Sequence, residues 1–272
     1  MRKPCVVLLS LMLAVVLWGC GDRGHESGGS PVNPPVHTGE LQSGDIHNEV
    51  MTAFEERAPL ESIPSMQWDE WLDTVLSSME EVAVAHDIPF DREEMSQHVV
   101  QLVKVFNAIH EATGIDPGML RASQTPESDM NRIVAQMETW KVIDGKTAAT
   151  LLEFRVDDAA EERAESVTDT SLRDVFRIGA SSREFWLDHE KKTPVQRSGP
   201  SDGDPPCKKC NPGATISDFL GGAIGRLICG GDRTCAAMMA AAASLVYNIA
   251  TGYCENHPCG GDPGGWWGPL NQ

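Results

Sequence analysis

From Asp45 to about Lys192 the apolar residues recur every three or four positions and no segment alternates convincingly, a pattern that predicts helices and no strands. A first helix is expected from Asp45 to Arg57. Ser65 begins a second, with Trp68, Trp71, Leu72, Val75, Met79 and Val82 along one side, ending before Pro89. Asp91 and Glu94 form a capping-box-like start for a third. Its line of Met95, Val99, Leu102, Phe106 and Ile109 is a bundle seam, and Gly114 stops it. Thr125-Pro126 places a cap before a first-turn proline; Met130, Ile133, Val134, Met137 and Trp140 continue that helix toward Gly145. Residues 147 to 166 read as one helix with Leu151, Leu152 and Val156 inward. A last one starts near Ser171, is loosened around Gly179 and resumes through Phe185-Trp186. The expected class is all-α, and a domain of this length can bury a real core.

A different texture follows. Residues 193–206 are a Pro/Gly/Ser linker, and six cysteines then fall at 207, 210, 229, 235, 254 and 259. The two long gaps, 211–228 and 236–253, are eighteen residues each. Equal gaps suit two antiparallel helices joined by the turn Gly230-Gly231-Asp232-Arg233. Six cysteines allow fifteen pairings, and the hairpin selects a nested set: Cys229 with Cys235 at the turn, Cys210 with Cys254 and Cys207 with Cys259 at the open end. A bridge between the ends of one helix is excluded, because eighteen helical residues extend roughly 27 Å and bridged Cα atoms lie within roughly 7 Å. The rival for Cys207-Lys-Lys-Cys210 is a zinc knuckle. Gly221, Gly222 and Gly225 on the first helix and the run Ala236 to Ala243 on the second let the backbones approach closely. Gly221 and Gly225 also make a small-xxx-small pair of the kind found in membrane helix contacts, which leaves a membrane-active hairpin as the alternative to a stapled one in water.

The start of the chain carries its own signal. Arg2 and Lys3 precede a short uncharged stretch from Val6 to Trp18, and Leu17-Trp18-Gly19-Cys20 follows. Thirteen residues are too few for a spanning helix, which needs roughly 17 to 25, so an export signal is expected at 1–19. The Cys after the cut resembles the lipobox of bacterial lipoproteins. That resemblance implies acylation of Cys20, a membrane anchor through the lipid and, with Gly21 rather than Asp after the Cys, an outer-membrane address in a Gram-negative host. Ordinary secretion is the alternative. Residues 20–43 then form a flexible tether, in which His25 and His37, with His47 just beyond, read as solvated tether or helix-start residues.

Charge narrows the partners. The chain has a formal net charge of −18. Residues 45–192 hold 31 acidic and 14 basic side chains, so the helical body carries nearly all of it. Such a field disfavours nucleic acid and anionic lipid and favours basic partners or cations. The organisation expected is therefore signal 1–19, lipidated tether 20–43, acidic helical domain 44–192, linker 193–206, Cys-rich hairpin 207–259 and a Gly/Trp tail 260–272, with the helical domain folding without the hairpin. Trp266 and Trp267 in the tail are costly to leave in water and are candidate recognition residues for a groove, a partner, a glycan or a lipid interface.

No catalytic pattern is complete: the chain has no His-Glu-x-x-His, no Gly-x-Ser-x-Gly and no phosphate-binding Gly loop. His86, His98 and His110 recur every twelve residues, but twelve helical steps separate successive faces by about 120°. No catalytic, cofactor-binding or metal-binding residue is predicted. The expectation is a lipid-anchored envelope protein with a binding or structural role and an envelope protein as partner. Residues 207–259 also resemble the Cys-rich C-terminal modules of halocin-like bacteriocins, which would make the chain the precursor or carrier of a membrane-active peptide. A metal-dependent or acid/base hydrolase working from the helical body is the third alternative.

Overall fold

A computed structural model describes residues 41–115, 117, 125–192 and 211–251, and all the secondary structure among them is helical. Nine α-helices follow in chain order: α1 Ser43–Arg57, α2 Trp68–Ala85, α3 Arg92–Thr113, α4 Pro126–Thr139, α5 Gly145–Leu151, α6 Ala160–Ser166, α7 Thr170–Lys192, α8 Asn211–Ile228 and α9 Arg233–Thr251. A 3₁₀ turn, Leu60–Ser65, links α1 to α2, so the α-helix after Ser65 begins at Trp68.

Local signals set several boundaries. The Asp91 carboxylate accepts from Glu93 N and Glu94 N, 3.0 Å each, and satisfies two amides that the first turn of α3 would otherwise leave open. At the other end Gly114 takes φ +69°, the left-handed cap a Gly adopts without strain. Asp144 caps α5 through Thr147 N at 2.7 Å. Two expectations change. The segment 147–166 is not one helix: α5 ends at Leu151, and Phe154, 1% exposed, turns inward before α6 begins at Ala160. There it stacks on Phe219, with ring centroids 3.9 Å apart, and meets Phe176 edge-on at 5.6 Å. Nor is α7 loosened at Gly179. The helix is continuous, and a Cβ at this position would come within 2.5 Å of Phe154, so the glycine makes room for the aromatic cluster.

The largest departure concerns the C-terminal helices. α8 and α9 pair as an antiparallel hairpin, as the cysteine spacing predicts, but they do not stand apart from the acidic body. α8 packs on α7, α3 and α4, and α9 packs on α1, α3, α7 and the 3₁₀ turn. Every residue from 213 to 225 and from 236 to 246 is buried. Ile216, Phe219, Leu220, Met238, Met239 and Leu245 belong to the same hydrophobic core as Phe54, Trp71, Val99, Ile133 and Phe176. The separation into a self-sufficient domain 44–192 and an appended module is therefore not how the chain packs: the hairpin helices form the centre, and the earlier helices wrap them. A helix apolar all round must be covered all round, and here the chain covers it itself. Among the described residues no helix is long and apolar enough to cross a membrane.

The small residues fix how closely the central helices meet. A Cβ on Gly221 would lie 2.3 Å from Ala243 Cβ, and one on Gly225 would lie 2.4 Å from Met239 Cβ. The hairpin also carries a buried carboxyl group. Asp218, fully buried on α8, accepts from Ser182 Oγ at 2.5 Å and Trp186 Nε1 at 3.0 Å, both on α7, and from Ser244 Oγ on α9. His47 Nε2 on α1 lies 3.3 Å from Asp218 Oδ2, while its Nδ1 meets Asn48 Oδ1 at 2.8 Å. His47 is itself fully buried, which corrects its expected place as a solvated residue. One carboxylate thus ties three helices to α8, and each buried lone pair used in this way offsets part of its desolvation.

Candidate functional site

The turn between α8 and α9 builds the most distinctive site. Arg226 O accepts from Gly231 N at 2.9 Å, with Gly230 at φ +63° and Gly231 at φ +94°, a Schellman-type stop for α8. Asp232 then starts α9 by accepting from Cys235 N at 2.7 Å. Reversing direction in so few residues brings Cys229 and Cys235 to a Cα separation of 5.9 Å, and they are joined by a disulfide. This is the pair the hairpin reasoning predicts. Cys207, Cys210, Cys254, Cys259, Cys20, Trp266 and Trp267 lie outside the described residues.

Against this turn packs the first part of α3. His98 projects from it so that Nδ1 lies 3.6 Å from Cys235 Sγ, although the two residues are 137 positions apart. Both cysteines and His98 are half-buried. They edge a cavity of about 460 Å³. Its apolar wall is Ile88, Pro89, Phe90, Met95 and Met238, and its acidic residues are Asp87, Asp91, Glu94 and Asp232, with no Lys or Arg among the lining groups. Asp91 and Asp232 are the N-caps of α3 and α9, so the same two residues that start the helices also give the cavity its sign. Partial burial holds the His98 imidazole below its ordinary pKa; the neighbouring Glu94 carboxylate opposes this more weakly. The neutral ring keeps a lone pair for a proton or a metal.

The other histidines predicted along α2 and α3 go elsewhere. His86 Nε2 meets Glu49 Oε2 at 2.5 Å and His110 is exposed, so the three do not converge, as the helical angle requires. What the sequence does not disclose is that His98 meets the cysteines. Its signal is long-range: only the docking of α3 on the hairpin brings the two together.

A second, smaller cavity of about 140 Å³ lies on another side of the turn, edged by Thr170, Ser171, Asp174, Arg226 and Arg233. It mixes both signs of charge. The Asp218 cluster, by contrast, is sealed in the core: His47, Ser182, Asp218 and Ser244 are at most 1% exposed and none of them lines either cavity. Its chemistry is that of an internal tie, because a reacting group needs access to substrate.

No protein family matches the chain, and comparison with curated proteins and with solved structures finds no match.

Proposed function

We propose that the protein is an exported, lipid-anchored component of the cell envelope that acts by binding and not by catalysis. The observation that carries the binding role is the cavity beside the Cys229–Cys235 turn, whose about 460 Å³ falls within the range of small-molecule sites, roughly 300–1,000 Å³. An apolar wall with acidic groups around it suits a ligand that combines an apolar group with a positive charge. A disulfide at the rim accords with an oxidising compartment. Cys20, after a short apolar leader, supplies the anchor, and the residues between it and α1 give the folded body reach from the lipid surface. Burial of α8 and α9 favours this role over release of the hairpin as a membrane-active peptide, because release would empty the core.

Fractionation of cells expressing the parent and Cys20→Ser tests the anchor. The parent is expected in the membrane fraction, extractable by detergent, and the variant in the soluble envelope fraction; equal membrane retention would defeat it. Titration with a long-chain alkylammonium probe tests the cavity. Saturable binding that weakens at least several-fold in Asp87→Asn/Glu94→Gln is expected, and unchanged binding in that variant would place the ligand elsewhere.

A further inference from the structure

We infer that the disulfide turn is also a redox-gated metal site, in which reduced Cys229 and Cys235 join His98 to bind a soft divalent cation such as zinc. The inference rests on the cavity being a ligand site and names a ligand for it. A ligand atom from each of the three side chains lies within 4.8 Å of the others. With zinc–sulfur bonds of about 2.3 Å and zinc–nitrogen bonds of about 2.0–2.1 Å in tetrahedral array, a Cys sulfur and a His nitrogen sit about 3.6 Å apart. His98 Nδ1 and Cys235 Sγ are at 3.6 Å. The same bond lengths put two coordinating sulfurs about 3.8 Å apart, so the disulfide and the metal are mutually exclusive occupants of one place.

The ligand set and the surroundings agree on the class of ion. Two thiolates and an imidazole select zinc-like ions over calcium or magnesium, which prefer oxygen. Asp87, Asp91, Glu94 and Asp232, with no cationic side chain among the lining residues, give the cavity the sign that attracts a cation. The gating step balances. A protein dithiol or dithiothreitol gives two electrons and two protons to the Cys229–Cys235 bond, which breaks into two thiols while the donor closes into its own disulfide. Zinc then displaces both thiol protons to solvent and leaves a neutral Zn(Cys)₂(His) unit, with its fourth position facing the cavity for water or a carboxylate.

The test uses the full chain with Cys5, Cys20, Cys207, Cys210, Cys254 and Cys259 replaced by Ser, so that only the two turn cysteines remain. Zinc titration is run on oxidised and reduced protein, and cobalt is used as a spectroscopic probe. One zinc per reduced chain is expected, none on the oxidised chain, and a thiolate-to-cobalt absorption band that needs both sulfurs. His98→Gln should weaken binding at least tenfold while circular dichroism shows the helices intact; Cys235→Ser should abolish the band. Binding unaffected by His98→Gln, binding to the oxidised chain with equal affinity, or no stoichiometric binding after reduction would overturn the inference. If the alkylammonium probe still binds oxidised protein while reduced protein ignores zinc, the metal site falls and the cavity reading stands.

Discussion

The central hairpin and the helices around it solve the problem of burial in opposite ways. α3 presents one apolar line, Met95, Val99, Leu102, Phe106 and Ile109, and leaves Glu93, Glu94, Lys104 and His110 in water. α9 has no such division: from Ala236 to Val246 it is buried on every side. A one-faced helix can be held by a single neighbour, whereas a helix without a wet face needs a complete shell. The acidic charge collects on the outer helices, because among the described side chains the hairpin helices reach water only near their turn. The one carboxylate of α8, Asp218, is tolerated because Ser182, Trp186 and Ser244 donate to it.

Removing the centre should therefore do more than removing any outer contact. Expressed alone, residues 44–192 would expose the faces of α1, α3, α4 and α7 that cover the hairpin, and with them the rings of Phe154 and Phe176 that pack on Phe219. The expected product is a loosely packed chain with helical signal but no cooperative thermal transition by circular dichroism, with dye-accessible apolar surface. A sharp transition comparable to that of the parent would show that the outer helices own a separate core and would dissolve the contrast between shell and centre.

Within the centre, Asp218→Ala should have the largest effect of a single substitution. It removes the acceptor shared by the hydroxyls of Ser182 and Ser244 and the indole N–H of Trp186 in a dry interior and leaves a cavity beside His47. Removing the acceptor of a buried donor typically costs about 1–3 kcal/mol per group. Urea unfolding monitored by tryptophan fluorescence measures it. A loss no larger than that of an exposed substitution, within about 0.5 kcal/mol, would mean that the network adds nothing to hold the hairpin in register.

Small residues give a finer comparison because the same change should differ in sign between regions. Gly to Ala within a helix gains up to about 1 kcal/mol in propensity. At Gly145, in the first turn of α5, the new methyl meets only the flexible end of Glu138, at 3.0 Å, so Gly145→Ala should be neutral or stabilising. At Gly221 it meets Ala243 Cβ at 2.3 Å and the Ala240 backbone at 3.2 Å. Overpacking of that kind costs about 1–3 kcal/mol, which outweighs the propensity gain, so Gly221→Ala should lower the urea midpoint. Equal shifts in the two variants would remove the distinction.

These residues also show what one sequence can and cannot disclose. Capping signals are local: Asp91, Gly114 and the Gly230-Gly231-Asp232 turn act within a few residues, and each is legible. The close helix approach is legible as well, since Gly221 and Gly225 on α8 and the alanines of α9 have few other uses. Whether such a hairpin stands alone or lies at the centre is not written in it, because both require the same small apolar residues. The partner that would decide is elsewhere in the chain. His47 looks like a polar helix-start residue until Asp218, 171 positions later, closes over it, and His98 has no visible role until α3 meets the Cys229–Cys235 turn. Phe154 breaks the expected 147–166 helix for the same reason: its ring is claimed by Phe176 and Phe219, a long-range packing gain that local helix spacing does not record.

The smallest effect belongs to the outer shell, where Arg177 of α7 holds Glu165 of α6 through Nε at 2.8 Å and Nη2 at 3.1 Å. That hydrogen-bonded guanidinium lowers the Glu165 pKa from the ordinary glutamate value despite the opposing effect of desolvation. The sign follows from proton linkage. A carboxyl group with a depressed pKa in the folded chain binds its proton more readily when unfolded, so it stabilises the fold above the unfolded value and loses that contribution as pH falls through the folded one. Glu165→Gln should therefore differ slightly from the parent at pH 7, and the difference should vanish at the acid end of the carboxylate range. Because the pair faces water, added salt should screen what remains of the charge attraction. Thermal melts of both proteins across pH 7 to 3, at low and high salt, measure these shifts. A loss at pH 7 as large as that of Asp218→Ala would show that the outer ion pairs, and not the covered centre, carry the stability of this fold.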